Sequence, residues 1–415
     1  MKALLAALAV VTVAAPIAAT PAVAQDRDYR WHGDRDDWDA SRDYRRGNHR
    51  ERRLTRDDQI FRGRDGRTYC KRNDGTTGLV IGAVGGGVLG NVIGGGTLRQ
   101  SVARMGAADA RSLLILSSAC HGVEGYCGSG IQVGLLHDAQ WMKAANEAGV
   151  AVLWIHALNP HGFSWWRRTT HENVDLNRNF VDFSQPLARN TDYDTIAAAV
   201  VPDDWPPPAQ AEATLAAYQA AHGERGLRAA IGNGQHHHPQ GLFFAGQAAT
   251  WSHLTLREIL REHARLCTKL GWIDFHTGLG PRGFGERIFA GRDDAAALKR
   301  ARQWWGAEVT SIFDDSSVST QVRGTLGNAA YEEAPQAEVT SMALEYGTYP
   351  PEVVMHALRA DQWMQNHPEK AGTQRTAIRQ QLRDVFYVDA DDWKAQVYLQ
   401  GREAALQALH GLMGP

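Results

Sequence analysis

A chain of 415 residues, 43% of them hydrophobic, is long enough to bury a large core and to carry a smaller segment beside it. Its formal net charge of -2 argues against a whole-protein nucleic-acid or membrane-surface role. Four cysteines, at 70, 120, 127 and 267, are too few and too scattered for a disulfide framework at this length.

Residues 1–24 read as a secretory signal peptide, with Lys2 as a minimal basic region, an apolar stretch from Ala3 to Ala19 and Ala22-Val23-Ala24 as a small-residue cleavage site. Export from the cytoplasm is therefore expected. Residues 25–77 interleave arginine and aspartate with isolated aromatics and almost no aliphatics, so burial cannot offset the entropy of ordering them; a disordered arm is predicted. Residues 78–96, GLVIGAVGGGVLGNVIGGG, place glycines at 78, 82, 86, 90 and 94, one face of a helix. Small residues at every fourth position let helices approach closely in lipid, and nineteen residues would rise about 28 Å. This predicts a glycine-zipper helix and membrane association through it.

From residue 97 to 415 the pattern is that of an α/β domain. The apolar run at 113–118 predicts a buried strand, followed by a helix over 128–147, where Ile131, Leu135, Ala139 and Met142 recur at helical spacing. A second strand is predicted at 150–155, a third near 227–232, a fourth at 271–275 (GWIDF) and a fifth at 340–346 (TSMALEY); an amphipathic helix closes the chain over 391–412.

Strand ends carry the chemistry. The first delivers His121 and, three residues on, Glu124; the fourth delivers His276, with Asp274 placed to steady its ring; the fifth delivers Glu345. Two imidazoles and a carboxylate leave an open position on Zn²⁺, and a separate carboxylate can take the proton of its water. By itself the HxxE spacing is a weak signal. The loop over 157–180 adds Arg167, Arg168, Asn177 and Arg178, which near a cation can recognise a carboxylate or stabilise an oxyanion; their bland alternative is a surface ion-pair cluster with Glu172 and Asp175. The tract His236-His237-His238 is read as pocket lining, because adjacent residues of an extended loop point different ways.

In chain order HGVE, NPHG, WRR, VDLNRNF, DFHTG and LEYGT resemble the motifs of the zinc carboxypeptidase superfamily, in particular a bacterial branch with HGVEG and NVDLNRNF. The resemblance implies a mixed, mostly parallel sheet of about eight strands with helices on both faces. It further implies one Zn²⁺ per chain on His121, Glu124 and His276, with Glu345 as general base. Arg167, which follows a tryptophan, would be the oxyanion-stabilising arginine, and Asn177 and Arg178 would hold the terminal carboxylate of the substrate. The substrate class is a peptide or N-acyl amino acid with a free carboxylate, and no specific nucleic acid is expected. The segment before residue 97 resembles the glycine-zipper envelope proteins of Gram-negative bacteria, which implies the periplasm or cell-envelope membrane of such a bacterium. It stands where the branch normally has leading strands, which predicts an exposed sheet edge. A competing class is therefore an envelope structural protein carrying an inactive, truncated hydrolase domain.

Overall fold

The computed structural model describes residues 98–414 continuously; before them it describes Arg42 and the strands named below, so the expected signal peptide at 1–24 lies outside the described residues. The chain divides into two units, residues 1–81 and 82–415.

In the first unit β1 (Arg30–Trp31), β2 (Gln59–Arg62), β3 (Thr68–Lys71) and β4 (Thr77–Leu79) form a four-stranded sheet in that order. Where the sequence predicts an arm without order, β2, β3 and β4 pair antiparallel, with Phe61 opposite Tyr69. The runs QIFR and TYCK are rich in β-forming side chains, a local signal that the composition of the whole segment masks.

The second unit is built on a nine-stranded sheet. Its strands are β5 (Gly82–Val84), β6 (Val88–Ile93), β7 (Gln100–Met105), β8 (Ser112–Ser118), β9 (Ala151–His156), β10 (Lys269–Arg282), β11 (Gly285–Phe289), β12 (Thr310–Ser311) and β13 (Glu338–Gly347). The spatial order is β12-β11-β13-β10-β8-β9-β7-β6-β5. The four central strands β13, β10, β8 and β9 run parallel, while β11 on one side and β7, β6 and β5 on the other are antiparallel to their inner neighbours. This is the mixed, mostly parallel α/β architecture with helices on both faces.

Alternation along β8 and β9 assigns the faces. Leu114, Leu116, Val152 and Trp154 join one core with residues of the Gly125–His137, Ala295–Trp305 and Asp391–Met413 helices. Leu113, Ile115, Leu153 and Ile155 join the other core, against the Trp251–Ala264 helix. Strands buried on both faces read as continuous apolar runs, which is why β8 is conspicuous in the sequence.

Three expectations are corrected. Residues 78–96 do not form a helix where described: the backbone is extended at Thr77–Leu79, Gly82–Val84 and Val88–Ile93. Each glycine costs a helix about 1 kcal/mol relative to alanine, and the intervening valines and isoleucines favour strands. No helix among the described residues is long and apolar enough to cross a membrane. β5 and β6 cover the edge expected to lie open, since β5 pairs with β6, β6 with β7 and β7 with β9. Finally, residues 227–232 are the end of the Ala209–Gly232 helix and not a strand; a short apolar run cannot be told from a helix by periodicity alone.

The predicted helix over 128–147 is two, Gly125–His137 and Ala139–Glu147, divided at Asp138. The Asp138 carboxylate caps the second helix by accepting from the N–H groups of Gln140 and Trp141, both at 2.9 Å, and it also accepts from the Arg402 guanidinium and the Tyr398 hydroxyl. The Arg402 bond, then that from Trp141, pulls its pKa down to about 2. A depressed carboxyl pKa contributes stability above the unfolded value near 3.8 and loses it as pH falls through about 2. Asp138→Ala should thus cost about 1 kcal/mol at neutral pH. Thermal melts of the two proteins should converge on acidification below about pH 3.8; a gap independent of pH would contradict this role.

Candidate metal centre

The end of β8 is bent sharply. Ala119 takes a left-handed φ of 60°, and the chain turns into a short helical turn, Gly122–Glu124, that presents His121 and Glu124 on the same side. Gly122 is required here: a Cβ on it would lie 2.0 Å from the carbonyl carbon of Gly162. The HGVE and NPHG motifs are thus two halves of one contact. Asn159 caps the Pro160–Trp165 helix through Gly162 N–H at 2.9 Å and donates to the Arg168 carbonyl at 3.1 Å. The Arg167 and Arg168 carbonyls in turn accept from Val123 N–H at 2.8 Å and Gly122 N–H at 3.1 Å.

Nδ1 of His121 lies 2.9 Å from one oxygen of Glu124, and Nδ1 of His276 lies 3.1 Å from the other. Ligand atoms of the three residues all fall within 4.8 Å of one another, and all three side chains are buried. Each Nε2 is held from behind by an aspartate: that of His121 by Asp175 at 3.1 Å, that of His276 by Asp274, whose other oxygen accepts from Ser117 at 2.6 Å. Nε2 of His121 stands between the Asp175 carboxylate and an Nη of Arg168 at 2.9 Å, while Nδ1 of both rings faces inward to Glu124; a metal ion held there would take the Nδ1 lone pairs, with Nε2–H donating to the aspartates. A tetrahedral zinc ion with ligands at about 2.0–2.1 Å sets them about 3.3 Å apart, so the donor set and its spacing fit such an ion. A second grouping, Cys120, Asp274 and His276, shares His276. Burial and neighbouring acids hold the Cys120 thiol neutral, and Asp274 is already engaged on both oxygens, so the first grouping is the better site. Cys120, Cys127 and Cys267 are free thiols.

Burial works against the charge of Glu124, yet His121, His276 and Arg168 outweigh it and hold the carboxyl well below the usual range. Asp175, wholly buried, is likewise kept ionised by Arg168, Arg178 and His121. Glu345 lies opposite His276 in the β10–β13 register, and one of its oxygens accepts from Leu279 N–H at 3.1 Å. Burial, then the charge of Glu124, raises its pKa to about 8. Facing a divalent charge at the three ligand atoms, Glu345 would ionise more easily.

The arginine assignment changes. Arg167 turns away from this centre: its Nε donates to the buried Asp361 at 3.1 Å and an Nη donates to Asn173. Arg168 instead enters it, donating to Glu124 at 2.8 Å and to Asp175 at 2.9 Å. The two side chains leave this bent stretch in different directions, and only Arg168 meets the metal ligands. Asp175, which enters the sequence reading only in the alternative of a surface ion-pair cluster, is the buried anchor of both His121 and Arg168. Its position inside the VDLNRNF motif is the signal that could have identified it.

One cavity of about 580 Å³ collects His121, Glu124, His276, Glu345, Arg168, Asn177 and Arg178. The Arg178 guanidinium is fixed by the Gly232 carbonyl at 2.7 Å and lies over the Phe243 ring; Asn177 accepts from Leu326 N–H at 3.0 Å. His236, His237 and His238 do not line the cavity: His236 is bonded to the Gly246 carbonyl at 2.6 Å and His238 to Asp194 at 2.7 Å. No tyrosine lines it among the described residues.

Among solved structures the chain is similar to a carboxypeptidase A from Helicoverpa armigera, at 14% identity and a TM-score of 0.38, covering 73% of this chain and 69% of that one. It is also similar to bovine thrombin-activatable fibrinolysis inhibitor in complex with tick carboxypeptidase inhibitor (11%, TM-score 0.38, covering 77% and 90%). A third is an aspartoacylase family protein from Mesorhizobium loti (13%, TM-score 0.34, covering 67% and 66%). No curated protein matches the sequence. Residues 92–400, well over half of the chain, match the family described as "Protein of unknown function (DUF2817)", and the protein belongs to that family.

Proposed function

We propose that this protein is a zinc-dependent hydrolase that cleaves an amide bond next to a free carboxylate, as a carboxypeptidase or an N-acyl-amino-acid deacylase of the zinc carboxypeptidase type. The observation that carries the reading is the convergence of Nδ1 of His121, Glu124 and Nδ1 of His276 in the cavity that also holds Glu345, Arg168 and Arg178.

A zinc ion on His121, Glu124 and His276 would supply Lewis acidity towards water and the scissile carbonyl. Arg178 and Asn177 bind the substrate carboxylate and so set which amide meets the attacking water. Glu345 takes a proton from that water as its oxygen bonds to the carbonyl carbon. Arg168 donates to the carbonyl oxygen as charge builds on it, an interaction stronger in the transition state than in the ground state. Glu345 then gives the proton to the departing nitrogen as the C–N bond breaks, leaving a carboxylate and a free amine. Asp175 and Asp274 keep the two imidazoles in the tautomer and orientation that leave Nδ1 free.

Elemental analysis of the purified full chain should find about one zinc per chain, and His121→Ala, folded by circular dichroism, should have lost it. A folded protein with no zinc, or a His121→Ala variant that keeps it, would remove the basis of this reading.

A further inference from the structure

The cavity is larger than a single amino-acid side chain needs: about 580 Å³ lies within the roughly 300–1,000 Å³ of cavities that enclose a whole small molecule. Its two walls differ. On one side, Asn177 is tied to Leu326 beside Ile288, Ala290 and Ala343, so an amino acid whose carboxylate rests on Asn177 and Arg178 places its side chain there. The other wall is made by Val354, Met355 and Leu358 of the Pro351–Asn366 helix and by Phe386 at the end of the Arg375–Phe386 helix. This second wall adjoins the metal ligands. The Phe386 carbonyl accepts from the Thr277 hydroxyl at 2.7 Å, and Leu279, two residues on, bonds Glu345.

Resting on the hydrolase reading, we propose that the acyl half of the substrate is an aliphatic chain lying along Val354, Met355, Leu358 and Phe386, so that the protein is an N-acyl-amino-acid amidohydrolase. A peptide extending along that wall would bring a backbone N–H and C=O at every residue, each needing a partner once water is excluded. The wall cannot supply them. Its side chains are apolar, the Val354 N–H is already bonded to the Pro350 carbonyl, and the Phe386 carbonyl is already bonded to the Thr277 hydroxyl. An alkyl chain asks for nothing but burial. Of the polar residues that line the cavity, Gln219, Glu224, Arg228 and Glu352 are exposed, whereas Val354, Leu358 and Phe386 are buried.

The test uses the full zinc-loaded chain and a series of N-acyl-leucines from acetyl to decanoyl, with acetyl-Ala-Ala-Leu for comparison. Turnover is followed in the natural protein, and affinity by calorimetry in Glu345→Gln, which leaves the substrates intact. Both kcat/KM and affinity should climb roughly two- to fourfold per methylene, in keeping with burial of each CH₂. Met355→Trp, at a half-buried position, should cut the decanoyl-to-acetyl ratio at least tenfold, and Met355→Leu should retain it. Affinities that do not change with chain length, or a tripeptide that surpasses the decanoyl compound, would overturn the proposal while leaving the hydrolase reading in place. Affinities that climb without cleavage of any compound would instead overturn the hydrolase reading and keep the acyl wall.

Discussion

Replacing Glu345 by glutamine is expected to lower kcat by about 10²–10⁴-fold, the usual contribution of a general base, while the protein keeps its metal. Glutamine preserves the shape and the acceptor for Leu279 N–H but cannot take a proton from water. Since Glu345 is not one of the three grouped ligands, zinc per chain should match the natural protein. Rate assays on N-acyl amino acids paired with elemental analysis check both halves. Unaltered turnover would take the base role from Glu345, and parallel loss of zinc would make it a ligand.

The two adjacent arginines separate by kind of effect. Arg168→Ala should lower kcat by about 10²–10³-fold, as loss of an oxyanion donor does. Part of that loss reflects Asp175 and Glu124, which keep their negative charges without the guanidinium between them. Arg167→Ala removes the partner of Asp361, and both are buried, so it should cost about 3–5 kcal/mol of stability. The folded fraction of that variant should turn substrate over at the natural rate. Urea denaturation and steady-state kinetics on both variants distinguish the roles; a kinetic defect in folded Arg167→Ala would return the oxyanion role to it.

Asp361 also shows why the assignment could not be made by reading along the chain. It stands 194 residues beyond Arg167, on the helix behind the cavity, and WRR holds no local feature that tells which arginine meets it. The histidine tract and residues 227–232 failed similarly, because side-chain direction and the choice between helix and strand depended on packing partners distant in sequence. In the glycine-rich segment the glycine spacing suggests a helix while the propensity of glycine opposes one; Val84, Val88, Val92 and Ile93 lie in strands that join β7 in its sheet.

What the sequence determined by itself were the features written in short range: buried strands as apolar runs, and His121, Glu124, His276 and Glu345 at the ends of those runs. Groups near the carboxyl ends of parallel strands converge on one crevice, and the cavity collects all four, although β10 and β13 continue past His276 and Glu345 to Arg282 and Gly347. Only the tertiary structure decided which arginine faces the ligands, that Asp175 stands behind His121, and that apolar helices wall one side of the cavity. These are outcomes of opposed charges and apolar surfaces finding one another across large sequence separations. No window along the chain contains both partners.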